Sequence, residues 1–313
     1  MRVVYVGNFE PEWSTENDVR LAFEALGHDV VQQQENRLRA DHLREVALES
    51  DLLLWTGTWP DAIDLAQALD IFHACATAGI PTATLHLDVF WSTGRGGRRW
   101  WREPMFHTAH LFTADGDHQA EWERLGKRHT WLPPGVRHTA AHPGAARDPW
   151  RCDVAFVGSD GHGYHEDVWP YRRLLVDALE AMCERRGWSF LNPGGRQPKV
   201  DRGSMNDFYA SATVTVGDSL CIRRRASRYW SDRAYEAPGR NGFLIMPMID
   251  ALVMDYDGVL PTYDWGDFDD LERTIEAFLD DADEREHRRD VCHEIASNRH
   301  TYVQRVESLL DAL

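Results

Sequence analysis

Apolar positions in this chain alternate between two rhythms. Short unbroken runs stand at Arg2–Gly7, Asp51–Thr56, Pro81–Asp88, Leu111–Ala114 and Thr130–Pro133. Runs this short, rich in Val and Leu and ended by Gly or polar residues, predict buried strands. His28–Val31 predicts a further one. Between them lie helical spacings. One carries Val19, Ala22, Phe23 and Leu26, with Ser14 or Thr15 placed to cap its start and Gly27 to stop it. Another spans Ile63–Ala78 and stops at Gly79. Strands separated by helices of ~10–15 residues predict βαβ units and a parallel sheet.

The rhythm stops at Arg137–Trp150, a Pro-, Gly- and Ala-rich stretch without periodicity that reads as a linker, and then restarts. Cys152–Gly158, Trp188–Leu191, Thr213–Val216 and Phe243–Pro247 predict strands. Tyr171–Arg186, Leu271–Leu279 and Glu284–Leu313 predict helices, the last with a break near Asn298–Thr301. The expectation is therefore α/β, with two doubly wound Rossmann-like domains in tandem, 1–140 and 151–313, facing a cleft. The final helix has the option of packing back on the first domain. In such folds ligands sit at the carboxyl ends of the strands.

Composition narrows the picture. The 313 residues are 43% apolar, enough for two cores, and no apolar run reaches the ~18–20 residues of a membrane span. The start reads as a strand and not as a secretory leader. Five scattered cysteines without CxxC spacing argue against a disulfide framework or zinc site and for a reducing cytoplasm. The net charge of −17 disfavours a nucleic-acid-coating surface. Basic residues are nonetheless clumped, with Arg95, Arg98, Arg99 and Arg102 in one segment and Arg223, Arg224, Arg225 and Arg228 in another. Each clump reads either as an anion site or as a solvated loop. Among thirteen tryptophans, Trp13, Trp55, Trp59, Trp91, Trp100 and Trp101 fall at expected strand ends or loops, where rings stack on sugars or bases as well as on the core.

The richest segment is Arg228–Pro247, read as a short helix, a Gly-containing turn and a buried strand. Polar residues including Ser231 and Arg233 cluster at the helix start, and Glu236 lies a turn further on. Free N–H groups at a helix start suit a diphosphate, and a carboxylate accepts bonds from sugar or ribose hydroxyls. An ordinary helix–turn–strand unit is the competing reading.

Four pieces then resemble the group 1 glycosyltransferases, particularly the CgeB-like branch. They are DVAFVGS at Asp153–Ser159 with Arg172 and Arg173 downstream, MNDFYASATVTV at Met205–Val216, SDRAYEAPGRNGFLI at Ser231–Ile245, and NRHTYVQRVESLL at Asn298–Leu310. Their order is the family's, over about residues 150–313. The first half resembles it more loosely, in His86–Asp88, Phe112–Asp115 and Trp131–Pro134. The resemblance implies a GT-B fold, with donor on the second domain and acceptor on the first, and no metal. In agreement, no DxD pair stands in a convincing loop; Asp269–Asp270 and Asp280–Asp281 lie in acidic helical surroundings. In many group 1 enzymes two glutamates eight positions apart surround the donor sugar. Glu236 matches the second, but Arg228 stands in place of the first.

Candidate roles follow. Glu236 is expected at the donor's hydroxyls, and Arg233 at the diphosphate, with an ion pair to Asp232 or Glu236 as the alternative. Gly158 and Ser159 are expected to give the donor close backbone approach. Arg172 or Arg173 is expected to reach the phosphates, Arg228 to face phosphate, and Gly239 and Gly242 to serve the turn or a phosphate. In the first domain Gly7 and Asn8 end the first strand. His86 and Asp88, two apart on one strand, share a face, and Asp88 is preferred as base. Asp115 reads as a turn residue. The loop Ser92–Arg102, with Trp91 before it and Arg95 and Arg98 within it, reads as an acceptor loop. The leading expectation is metal-independent transfer from a nucleoside-diphosphate sugar to a hydroxyl of a small molecule, glycan or protein. A hydroxymethylpyrimidine DNA base as acceptor and a non-catalytic nucleotide-sugar-binding scaffold are the alternatives.

Overall fold

The computed structural model describes residues 1–58, 62–89, 91, 100–161, 170–220 and 224–313. The chain divides into two compact units, Met1–Pro133 with Tyr302–Leu313, and Pro134–Thr301.

In the first unit six strands, β1 (Arg2–Gly7), β2 (Asp29–Gln34), β3 (Leu52–Trp55), β4 (Thr82–His86), β5 (His110–Thr113) and β6 (Arg128–Trp131), form one sheet in the order β2-β1-β3-β4-β5-β6. Every pairing in it is parallel. Alternate residues of a strand face opposite sides, and here both sides are apolar. Val3, Tyr5, Leu52 and Leu54 pack with Phe23 and with Tyr302, Val306 and Leu309 of the last helix. Val4, Val6, Leu53 and Trp55 pack with Leu43, Phe72 and Trp122. A sheet covered on both faces has continuous apolar strands, which is why period-2 alternation is missing from the sequence.

Local chemistry fixes the helix starts. Ser14 Oγ accepts from Asn17 N (3.2 Å) at the head of Thr15–Ala25. Asp64 and Gln67 form a reciprocal capping box at the head of Leu65–Thr77, two residues later than the apolar spacing indicated.

The second unit has β7 (Cys152–Ala155), β8 (Phe190–Leu191), β9 (Ala212–Val216), β10 (Leu244–Pro247) and β11 (Thr262–Tyr263), ordered β11-β10-β9-β7-β8 and again parallel. Its core joins Val154, Phe156, Val214, Val216 and Ile245 to Leu175 and Leu179 of the Pro170–Arg186 helix and to Leu271 and Ile275. The stretch 137–150 forms two single 3-10 turns and no strand. It is nevertheless pinned to the second unit, because Asn206 Nδ2 donates to Ala140 O (3.0 Å) and His142 O (2.7 Å). The C-terminal helix breaks at His300, which ends Ala282–Arg299; Tyr302–Ala312 then belongs to the first unit.

Two strands differ from their sequence outline. β2 runs on through Gln32–Gln34, polar residues that an edge strand tolerates with one partner and partial exposure. β4 ends at His86 and leaves Asp88 in the following loop.

Candidate functional site

The carboxyl ends of β7 and β9 lie side by side, since β7 pairs directly with β9. After β7 the chain passes Phe156 and reaches Gly158 at φ +132°, a conformation L side chains rarely adopt. Asn192, fully buried after β8, holds this turn by donating from Nδ2 to Phe156 O and Gly158 O, both 2.8 Å. After β9 come Gly217 and Asp218, the latter 1% exposed.

Asp218 is the centre of the cluster. Its Oδ2 accepts from Arg172 Nε at 2.7 Å, and its Oδ1 accepts from Arg172 Nη2 at 3.3 Å and Arg233 Nη1 at 2.7 Å. Arg172 also donates from Nη1 to Ser159 Oγ (3.2 Å). Both guanidiniums lie over the Phe156 ring, at 6.0 and 5.4 Å from its centroid. A Cβ on Gly158 would stand 2.8 Å from Arg233 Nη2, so the glycine makes room for that guanidinium. Burial works against the charge on Arg233, but Asp218 and Asp232 outweigh it and raise its pKa above the ordinary value. Two guanidiniums thus converge on one central carboxylate at the strand ends, and Arg donors match phosphate oxygens well.

The Arg233–Gly239 helix carries the next residues. Ser231 Oγ donates to Asp218 O (3.0 Å), tying the helix start to the β9 end. Arg233 therefore pairs with Asp218, not with Asp232 or Glu236 as its sequence neighbours offered. Glu236 is partly exposed, 3.5 Å from Arg240 Nη2. Arg228 is exposed. Gly239 is buried at the far end of the helix, where a Cβ would meet Val136 at 2.7 Å, and a Cβ on Gly242 would meet Tyr209 at 2.9 Å. Both glycines sit in packing contacts. The structure thus brings together Gly158, Ser159, Arg172, Ser231 and Arg233, with Glu236 one turn on, and leaves Gly239 apart.

In the first unit, Gly7 and Asn8 end β1. A Cβ on Gly7 would stand 2.7 Å from Glu16 Cγ. Glu16 crosses the strand end here, accepting from Asn8 N (3.3 Å) and Thr58 Oγ1 (2.7 Å). Burial raises the Glu16 pKa. His86 and Asp88 do not share a strand face, because β4 stops at His86. The His86 ring is buried edge-on to Phe106 at 5.7 Å, and Asp88 Oδ1 accepts from Val89 N at 2.8 Å as a turn cap. Asp115 is 2% exposed after β5, with Asp117 N donating to Oδ1 (3.3 Å) and His118 Nε2 4.0 Å from Oδ2. Burial pushes its carboxyl up to about 6. Trp91 packs on Trp122 at 5.1 Å, Trp55 is fully buried, and Trp13 and Trp101 are exposed. Arg95, Arg98, Arg99 and Trp59 lie outside the described residues. Among the described residues no group of three or more His, Cys, Asp or Glu is placed to hold a metal ion, and no helix is long and apolar enough to cross a membrane.

Sequence reasoning missed Asp218 and Asn192. Asp218 carried a usable signal, since it stands two residues past an expected strand, the same position rule that selected Gly158 and Ser159. Asn192 follows β8 in the same way.

Two parallel α/β units in tandem, with polar side chains gathered at strand ends, define a GT-B-type glycosyltransferase fold. Solved glycosyltransferases match it end to end. An α-glucosyltransferase in complex with UDP and a 13-mer DNA containing an HMU base aligns with TM-score 0.63 at 9% identity, covering 100% of this chain and 99% of that one. Sucrose-phosphate synthase from Thermosynechococcus elongatus gives 0.62 at 12%, covering 99% and 98%. Anabaena HepE in complex with UDP and glucose gives 0.58 at 12%, covering 100% of both. At such identities the likeness is one of fold. No curated protein matches the sequence. Residues 154–311, half of the chain, match the glycosyl transferase-like family, and the chain belongs to that family. It is a glycosyltransferase.

Proposed function

We propose that the second unit binds the diphosphate of the nucleotide sugar at the ends of β7 and β9, and that transfer to a hydroxyl acceptor proceeds without a metal ion. The observation that carries this is the convergence of Arg172 and Arg233 behind Gly158 and Ser159, within the family-matched half. Preplaced guanidiniums stabilise the charge that grows on a departing diphosphate. Glu236, partly exposed one turn beyond Arg233, accepts from ribose or sugar hydroxyls. Arg228, exposed at the head of the segment, meets the outer phosphate oxygens. UDP is the nucleotide to try first, as several structural neighbours were solved with it.

The acceptor is assigned to the first unit, at the ends of β1 and β4, with Gly7, Asn8, His86, Asp88 and Trp91; Arg95 and Arg98, a few residues on in the sequence, are included in this assignment. The order of the four motifs supports a reading within the CgeB-like branch. Free, buried Cys75, Cys152, Cys183 and Cys292 fit a reducing cytoplasm.

A DNA acceptor is the second reading. One neighbour was solved with a modified-base DNA, and the arginines of the 92–102 sequence segment supply cations, against a net charge of −17. Neutralising Arg95, Arg98, Arg99 and Arg102 then abolishes a salt-dependent DNA affinity; DNA binding indifferent to both salt and these substitutions removes this reading.

The main test is a thermal-shift screen with UDP, GDP and dTDP, paired with sugar release from their nucleotide sugars in EDTA. A nucleoside diphosphate at 100 times its Kd stabilises the native state by about 2.7 kcal/mol. That is roughly 5–10 °C for a chain of this size. No shift with any of the three, and no turnover of their sugars, overturns the proposal. Turnover that EDTA abolishes overturns its metal-free part.

A further inference from the structure

We propose that Asp218 is a positioning residue, which sets Arg172 and Arg233 as a preformed grip for the donor diphosphate. The inference rests on the donor reading above and adds to it a residue outside the motifs that first marked the site.

Arg172 and Arg233 carry like charges, yet both reach Asp218 Oδ1, at 3.3 and 2.7 Å. Like charges held this close, away from bulk water, need an anion between them. A neutral acceptor at 218 would leave the two guanidiniums repelling each other. Asp218 also fixes orientation. Arg172 meets it through Nε and Nη2, the bidentate arrangement that locks the plane of the guanidinium. This turns the remaining Nη1 to Ser159 Oγ. Arg233 spends Nη1 on Asp218, which leaves Nη2 beside Gly158.

Asp218 is itself held in place. Its carbonyl accepts from Ser231 Oγ (3.0 Å), and the adjacent Ser219 Oγ donates to Tyr229 O (3.2 Å). One buried carboxylate thus joins the ends of β7 and β9, the Pro170–Arg186 helix and the Arg233–Gly239 helix.

The test is Asp218→Asn in the full chain, which keeps the side-chain shape and removes the charge. Affinities are measured for UDP and for uridine, and for the GDP–guanosine and dTDP–thymidine pairs, with the nucleosides measured as competitors. The expected result is a loss of about tenfold or more for the diphosphate that binds the wild type, with its parent nucleoside changed less than about twofold. Asp218→Glu restores part of the diphosphate affinity. A purely structural role lowers both ligands together, and that outcome overturns the inference, as does unchanged diphosphate affinity in a variant that melts like the wild type. If Asp218→Asn does not fold, Arg172→Lys keeps the charge but loses the bidentate grip, and the same selective loss is required of it. A wild type that binds none of the three diphosphates overturns the donor reading itself, whereas normal binding with an indifferent Asp218→Asn overturns the positioning role alone.

Discussion

Gly158→Ala tests the donor turn most directly, because two separate costs are visible at that residue. The first is conformational. At φ +132° an alanine sits in a region that costs of order 1–3 kcal/mol for a residue with a Cβ. The turn cannot relax cheaply, since Gly158 N donates to Pro193 O (2.9 Å) and Gly158 O accepts from Asn192 Nδ2 (2.8 Å). The second is steric and electrostatic. The new Cβ would lie 2.8 Å from Arg233 Nη2, so the guanidinium must withdraw and strain its bond to Asp218. A hydrogen bond between charged groups contributes about 1.5–3 kcal/mol. Together the substitution should cost up to roughly 2.5–6 kcal/mol, or roughly 5–24 °C in the melting of the second unit. Differential scanning fluorimetry reads the first effect, and calorimetry with UDP reads the second as a weaker affinity. The two costs separate in a double-mutant cycle. With Arg233→Ala in the background the steric part vanishes and only the backbone part remains, so the double variant should be more stable than the sum of the single losses predicts. Strict additivity, or a Gly158→Ala protein that melts and binds UDP like the wild type, refutes this account of the turn.

Two further predictions concern pH. His110 and His129 are pushed down to about 4, in both cases mainly by burial. Unfolded histidine titrates near 6.5, so between about 4 and 6.5 the unfolded chain binds more protons, and the stability present above this window is lost as pH falls through it. The full shift corresponds to at most about 3 kcal/mol for a wholly buried ring, and less for the half-buried His129. Urea melts of wild type and of the His110→Gln/His129→Gln double variant should differ in slope across that window; parallel profiles sink the prediction. Asp115 has the opposite sign. Burial raises it to about 6, so the folded state binds more protons between about 4 and 6 and the carboxylate costs stability above that range. Asp115→Asn keeps the acceptor for Asp117 N and should gain about 1–2 kcal/mol at pH 7.5. The gain should disappear near pH 4, and a variant no more stable than wild type at pH 7.5 counts against the reading.

The strand–helix rhythm was legible because both sheets are parallel and covered on both faces, which writes each central strand as a short apolar run. Edge and short strands were less so. The polar end of β2 and the two-residue β11 have little apolar signal, because partial exposure removes the selection that creates it. Candidate site residues followed the same division. The clustering of Gly158, Ser159, Arg172, Ser231 and Arg233 was approachable because each lies in a local motif or at a strand end. The pairing of His86 with Asp88 failed on one point of geometry, since β4 stops between them and period-2 reasoning applies only within a strand.

The electrostatics of the site was the part hidden from a linear reading. Asp218 lies 46 residues from Arg172 and 15 from Arg233, and the adjacency of β7 and β9, with the helices that follow them, makes the three neighbours. The parallel sheet is what creates this. Each strand needs a long crossover before the next, so residues at neighbouring strand ends are necessarily distant in sequence. The rule that ligands gather at carboxyl strand ends therefore selects positions well, while the charge partner of any one of them has to be sought at the other strand ends of the same sheet. Arg233 shows the consequence. Its two sequence neighbours offered carboxylates, yet its bond goes to the strand-end aspartate, because that carboxylate is buried and already shared with Arg172. A cation paired with exposed Asp232 would be screened by water and free to swing. One fixed by a buried carboxylate keeps its remaining donors in place, which is the preorganisation the proposed diphosphate site requires.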